Sequence, residues 1–161
     1  MTKLACGWVL TLALCATGWA ADKYSGPKPP KPDIPYLLHA STLIPTEVVE
    51  AREQSGKKDE TTFVIPGAAS EARTPLAEPI FIFESDKISP DRIELYRLQS
   101  RGNQREISVS RKAHKNARPL RLQVTRLDNR LYRLEVAETL ENGEYSLSPA
   151  DSNQAFCFAV Y

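Results

Sequence analysis

The sequence predicts an all-β fold, a β-sandwich, for the larger part of this 161-residue chain. Seven short apolar runs follow one another between residue 79 and the C-terminus, at the spacing expected of sandwich strands. Several of these runs alternate apolar and polar residues, as Leu120, Leu122 and Val124 do, so that one face of the strand can pack on a core. Residues after 79 show no sustained helical period, which excludes a mainly helical domain there.

Each run is bounded by residues that favour turns. The seven runs are 80–83, 92–98, 105–110, 120–127, 131–137, 144–148 and 155–160. Gly, Pro, Asn and Asp cluster between most of them, for example in Ser89-Pro90-Asp91 and Glu141-Asn142-Gly143. We therefore predict that residues 79–161 form the sandwich.

The first twenty residues are typical of a secretory signal peptide. Lys3 supplies the positive charge, and the apolar run from Trp8 to Ala16 is too short to span a bilayer comfortably. Gly18-Trp19-Ala20 then places small residues at the two positions that a signal peptidase reads. We predict cleavage after Ala20 and a secreted or periplasmic mature protein that is not an integral membrane protein. An uncleaved anchor is the alternative.

Cleavage changes the residues available for chemistry and binding. The mature chain would keep Cys157 as its single cysteine and would have no tryptophan, so an intrachain disulfide is excluded and packing must hold the domain. The formal net charge falls from +1 to 0 with the loss of Lys3. A neutral exported chain is a poor candidate for binding nucleic acid.

Two segments precede the predicted sandwich. Residues 21–35 are rich in proline, which favours an extended semi-rigid linker, although a proline-rich recognition site is an alternative. Residues 36–78 are predicted as an N-terminal extended segment, with a β-hairpin that pairs 43–53 with 60–66. Because Pro45 is followed by Thr46-Glu47-Val48-Val49, a helix over 46–53 is the alternative.

A short pattern near the C-terminus links the sandwich to a known class. Leu140, Gly143 and Tyr145 resemble the tyrosine corner of immunoglobulin-like sandwiches, in which the tyrosine hydroxyl bonds to backbone a few residues upstream. Leu147 stands where antibody domains have a cysteine, so the disulfide-bearing branch of that class is excluded. The resemblance implies an immunoglobulin-like β-sandwich and carries no activity. An ordinary hairpin containing Gly and Tyr is the alternative.

The last run is apolar on both faces. Phe156, Phe158 and Val160 alternate with the smaller Ala155 and Cys157, which indicates a central strand or one covered on both sides. Cys157 is therefore predicted to be a buried, small hydrophobic residue. A reactive or dimer-forming thiol is the alternative.

Residues that could perform catalysis do not converge in the sequence. His39 and His114 are far apart, and there is no zinc-type cluster, phosphate-binding glycine loop, dinucleotide fingerprint or G-x-S-x-G elbow. We therefore expect a non-enzymatic protein without a cofactor or a metal.

Charge is strongly segregated along the second half of the chain. Residues 97–133 hold eleven Lys or Arg against two acids, a net +9, whereas residues 134–161 hold five acids and no base. A basic loop could bind an anionic polysaccharide or lipid surface. The candidate ligand-binding residues are Arg111, Lys112, His114, Lys115, Arg118 and Arg121. The alternative is internal compensation, for example Arg133 with Glu144 or Arg121 with Glu135.

These observations predict an exported, non-catalytic interaction or structural module of the cell envelope. Its partner would be an envelope protein that meets the basic region or adds a strand to the N-terminal hairpin. The second hypothesis is a module that binds an anionic polysaccharide or lipid surface through the basic loop.

Overall fold

The computed structural model describes residues 24–55, 60–110 and 118–161. In these ranges the chain forms thirteen β-strands and one short 3₁₀ turn at Pro90–Arg92. The strands are β1 (Tyr36–His39), β2 (Thr42–Pro45), β3 (Glu47–Glu50), β4 (Arg52–Ser55), β5 (Glu60–Pro66), β6 (Arg73–Thr74), β7 (Ile80–Glu84), β8 (Ile93–Arg101), β9 (Gln104–Ser110), β10 (Leu122–Arg126), β11 (Leu131–Val136), β12 (Gly143–Pro149) and β13 (Gln154–Val160). The predicted all-β fold is confirmed, and each of the seven predicted runs is a strand, β7 to β13.

The smaller sheet has five strands in the order β10-β11-β7-β1-β2, all antiparallel. Its centre is β7, where Phe81 lies opposite both Leu37 and Leu134. β7 is apolar at nearly every position, as expected of a strand that has neighbours on both sides and a core against its face.

The larger sheet follows the path β3-β13-β12-β8-β9-β5-β4, and the short β6 adds to β13 in parallel. The two ends of this path, β3 and β4, are consecutive in the sequence and are separated only by Ala51. The Cα atoms of Glu50 and Arg52 are therefore at most about 7 Å apart. Because β3 pairs with β13 and β4 pairs with β5, the sheet must curl until its ends meet. We call this closed sheet the barrel.

The curled sheet has a core on each of its faces. Phe81 of the smaller sheet packs edge-on against Phe158 of the barrel wall, with ring centroids 5.0 Å apart, and this contact lies in the core between the two layers. Inside the barrel, Ala155 and Cys157 of β13 are buried in one cluster with Ile65 of β5. Strands β13 and β5 lie near opposite ends of the strand path, so their contact is evidence that the barrel closes.

The last strand, β13, divides its side chains between these two cores. Phe156 and Phe158 face the sandwich core, while Ala155 and Cys157 face the interior of the barrel. The prediction that this strand is covered on both sides is confirmed.

The pairing of the N-terminal segment differs from the predicted hairpin. Residues 52–55 do pair with β5. The predicted pairing of residues 43–50 with 60–66 is wrong, because β2 pairs with β1 and β3 pairs with β13. The chain changes layer at Thr46, which is buried and whose backbone N–H and hydroxyl both donate to the carbonyl of Pro35. The helical alternative for 46–53 is also wrong, since residues 36–66 supply strands to both layers.

The described part of the proline-rich segment packs on the smaller sheet. Pro29 and Pro35 are buried, and Ile34 contacts the sandwich core. The Asp33 carboxylate accepts hydrogen bonds from the backbone N–H groups of residues 86, 87 and 88, at 2.9–3.0 Å. Residues 33–35 are therefore anchored to the body of the protein, in contrast to a free linker.

Candidate functional site

One end of the barrel interior is closed by Arg105, whose side chain is fully buried. Its guanidinium donates to both carboxylate oxygens of Glu47, at 2.8 and 2.9 Å, and to the carbonyl oxygens of Pro66 and Gly67, at 2.9 and 3.0 Å. It also donates to Ser70 Oγ at 2.6 Å. A buried guanidinium with its donors satisfied in this way fills and fixes one end of the barrel.

The other end of the barrel interior is open. A cavity of about 170 Å³ lies there, bounded on one side by apolar side chains that point inward from the strands. These are Ala51, Phe63, Ile65, Leu98, Ile107 and Ala155. Inward-facing residues of a small barrel usually fill its interior, so the space arises because Ala51 and Ala155 are small.

Another part of the cavity wall is polar and comes from β8 and β12. Tyr96 lies across from Ser146, and Glu94 lies across from Ser148, so the four side chains form one patch. The Tyr96 hydroxyl donates to Glu94 Oε2 at 2.5 Å, and the Oγ atoms of Ser146 and Ser148 are 2.7 Å apart. The cavity therefore combines an apolar wall with a hydrogen-bonding wall.

The electrostatics of this wall follow from burial and from Glu94. Desolvation raises the pKa of Tyr96, and the hydrogen bond to Glu94 and the negative charge of that carboxylate raise it further. The phenol therefore stays protonated and keeps donating to Glu94. Among the described residues around the cavity the charged ones are Glu94 and Asp151, and Asp151 forms an ion pair with Arg92. The cavity mouth therefore favours a positive rather than a negative ligand.

The structure describes only two of the six residues of the predicted basic site. Arg111, Lys112, His114 and Lys115 lie outside the described residues. Arg118 and Arg121 are exposed, and the backbone N–H of Arg121 donates to Glu138 Oε1 at 2.5 Å.

Other arginines of the basic half are compensated by carboxylates within the protein. These pairs join Arg97 to Glu141, Arg101 to Glu106, Arg105 to Glu47, Arg130 to Glu84 and Asp86, and Arg133 to Glu135. The two pairs named from the sequence are wrong. Gln123, not Arg121, lies opposite Glu135, and Glu144 faces Ser70 and Arg105 inside the barrel rather than Arg133.

The residues of the predicted corner meet in the sandwich core. Tyr145 is 1% exposed, and its ring stacks on Phe158 with centroids 5.5 Å apart. Its hydroxyl donates to the carbonyl oxygen of Glu141 at 2.7 Å, four residues upstream, which is the kind of bond expected of a tyrosine corner. Leu140 is buried in the same core, and Gly143 begins β12. Membership of the immunoglobulin-like class stays a prediction.

Cys157 lies inside the barrel, opposite Ser146 on the neighbouring strand. It is completely buried, and desolvation raises its pKa to about 12. The predicted burial of this thiol is confirmed, and a protonated, inaccessible thiol is a poor nucleophile.

The described ranges contain neither a cluster of metal-binding side chains nor a helix that could span a membrane. There, no three His, Cys, Asp or Glu side chains lie close enough to hold a metal ion. His39 is exposed at the end of β1, and His114 lies outside the described residues. No helix within residues 24–55, 60–110 and 118–161 is long and apolar enough to cross a membrane.

The chain was also compared with known proteins. No protein-family model matches it, and neither a curated protein nor a solved structure shows significant similarity to it.

Proposed function

We propose that this protein is an exported, non-catalytic binding module that holds a small, mainly apolar ligand in the open end of the barrel. The observation that carries this proposal is the cavity of about 170 Å³. An apolar cavity of about 150 Å³ is large enough to bind benzene. Binding sites often combine apolar walls with a few polar groups, and the mouths of β-barrels are common places for them.

The polar groups of the cavity support binding rather than catalysis. Ser146 and Ser148 bond to each other, and neither has a histidine beside it among the cavity-lining residues that the structure describes. Glu94 already accepts the Tyr96 hydroxyl. A serine nucleophile is usually activated by an adjacent histidine, and the described lining of the cavity contains no histidine.

Export is supported by the sequence alone. The signal-like residues 1–20 lie outside the described part of the chain, so secretion and a role at the cell envelope enter the proposal from their composition.

Filling the cavity tests the proposal. Binding of toluene and benzyl alcohol to the full chain would be followed by saturation-transfer NMR. Ala51→Leu places extra carbons in the cavity and should weaken binding by about tenfold or more, because the ligand and the new side chain cannot share the space. The control is Val48→Leu, which also enlarges an aliphatic side chain, by one carbon, at a position that is 45% exposed on the adjoining strand.

Two results would overturn the proposal. One is that neither probe binds the wild-type protein, and the other is that Ala51→Leu binds both probes as well as Val48→Leu does. Thermal denaturation of each variant shows whether it is folded, and Ala155→Val offers a smaller filling substitution of the same cavity.

Binding to an anionic surface is the second candidate function. The observation in its favour is that Arg118 and Arg121 are exposed at the end of the basic run. The internal pairing of Arg97, Arg130 and Arg133 neutralises part of the basic run, so the proposed surface is centred on the region of residues 111–121. Strand addition by an envelope protein is a further option, and in the described residues it would use the outer strands of the smaller sheet, β2 or β10.

A further inference from the structure

We infer that the barrel cavity selects small amines with an apolar body, and that the ammonium group of the ligand binds the Glu94 carboxylate. This inference rests on the proposed function and specifies the chemical class of its ligand.

The division of the cavity walls sets where each part of the ligand would lie. Phe63, Ile65 and Ile107 present carbon only, so the apolar body of a ligand packs there. Glu94 and Ser148 face this wall from directly opposite positions on β8 and β12. A ligand that spans the cavity therefore meets carbon at one side and oxygen at the other.

Glu94 has capacity for a further donor. An ionised carboxylate offers about four acceptor positions on two oxygens, and the Tyr96 hydroxyl uses one of them, on Oε2. An ammonium group carries three donors and no acceptor, which suits a wall where carboxylate and hydroxyl oxygens lie side by side. Glu94 is partly buried, and a partly buried carboxylate gains most from a partner of opposite charge.

The second carboxylate at the mouth is already neutralised. Asp151 forms an ion pair with Arg92, and both side chains are largely exposed. By contrast, the polar partner of Glu94 is the neutral Tyr96 hydroxyl. The two acids therefore form a natural matched pair for mutagenesis, in which only Glu94 is expected to recognise an amine.

The experiment compares four probes of nearly equal size that differ in charge and hydrogen bonding. Toluene, benzyl alcohol, benzylamine and benzoate would be titrated into the full chain at neutral pH and low salt, with affinities measured by calorimetry or ligand-observed NMR. Benzylamine should bind about tenfold more tightly than benzyl alcohol, because a hydrogen bond between charged groups is stronger than one to a neutral hydroxyl. Benzoate should bind more weakly than toluene, because the Glu94 carboxylate repels a second negative charge.

Variants assign that selectivity to one residue. Glu94→Gln keeps the size and an acceptor but removes the charge, so it should abolish the preference for benzylamine over benzyl alcohol. Asp151→Asn should retain the preference. Tyr96→Phe should retain it as well, since the substitution leaves both the carboxylate and the aromatic ring in place.

The outcomes separate this inference from the proposed function. Equal binding of benzylamine and benzyl alcohol to the wild-type protein would overturn the selectivity for amines while the cavity remained a binding site. Loss of the preference in Asp151→Asn but not in Glu94→Gln would overturn the assignment to Glu94. Failure of all four probes to bind would overturn both proposals. The wild-type comparison decides the selectivity even if a variant does not fold.

Discussion

Arg105 and Glu47 form a bidentate ion pair inside the barrel, with N–O distances of 2.8 and 2.9 Å, although 58 residues separate them in the sequence. The pair joins the first strand of the sheet path to the fifth, since Glu47 lies on β3 and Arg105 on β9. Its energetic role can be tested by removing one partner.

Arg105→Met should destabilise the protein by about 3–5 kcal/mol, because it leaves Glu47 partly buried without its counter-ion. The free energy of unfolding would be measured by urea denaturation. The control is Arg97→Met, which removes an exposed ion pair to Glu141 and should cost less than about 1 kcal/mol. Equal losses in the two variants would contradict the structural role of Arg105.

Tyr145→Phe should cost about 1 kcal/mol of unfolding free energy, because it removes the hydroxyl that donates to the Glu141 carbonyl and leaves that carbonyl without this donor. Tyr161→Phe is the control, since the ring of Tyr161 is 56% exposed. Unchanged thermal stability of Tyr145→Phe would show that the corner bond contributes little.

Cys157 should not react with a thiol reagent at pH 8 in a native chain that begins at residue 21 and so has no other cysteine. The thiol is fully buried and its pKa is raised to about 12, so the reactive thiolate is scarce and inaccessible. Labelling with a chromogenic disulfide should become stoichiometric only in denaturant. Rapid labelling without denaturant would contradict the burial of this thiol.

Asp33 should make the stability depend on pH in the acid range. Burial alone raises the pKa of its carboxyl, but the backbone N–H groups of residues 86–88 and the charge of Lys87 lower it below the ordinary value of 3.8. Because the pKa is lower in the folded state, its stabilisation is complete above the unfolded pKa and is lost as the pH falls through the folded one. Thermal midpoints between pH 6 and 2 should show a smaller acid-induced decrease in Asp33→Asn than in wild type. Asp91→Asn, at an exposed aspartate, is the control, and identical profiles for wild type and Asp33→Asn would refute the role of Asp33.

The anionic-surface alternative predicts salt-sensitive retention on heparin. The double variant Arg118→Gln and Arg121→Gln should elute at lower salt than wild type, because exposed basic charges govern such binding. Arg97→Gln with Arg130→Gln is the control, since it removes the same charge from arginines that are paired internally. Flow-through of the wild-type protein at low salt would remove this alternative.

The sequence was informative where side chains alternate and where pairing is local. Short apolar runs, several of them with period-two alternation, located β7 to β13, and the two apolar faces of β13 correctly indicated burial of Cys157. The barrel could not be predicted, because its closure depends on β3 pairing with a strand more than 100 residues away, and alternation says nothing about partners.

The cavity was missed for a related reason. Its walls come from residues such as Ala51, Phe63, Tyr96 and Ser146, which are scattered over about 100 positions and meet only in the closed sheet. The sequence offered only a weak indication of the cavity. Tyr96 and Ser146 are polar residues that alternate with the apolar residues by which β8 and β12 pack on the sandwich core. Arg105 is one of the eleven Lys or Arg counted in residues 97–133, and a count of charges along the chain cannot distinguish an outward arginine from an inward one.

Strand β13 contributes wall to both interiors and supplies the ladder for β3. The barrel therefore cannot close until β3 meets a partner strand more than 100 residues further along the chain. Because closing so long a loop costs conformational entropy, we expect this pairing to form late and folding to be slow. Deletion of residues 154–160 would remove the partner of β3 and expose both interiors at once.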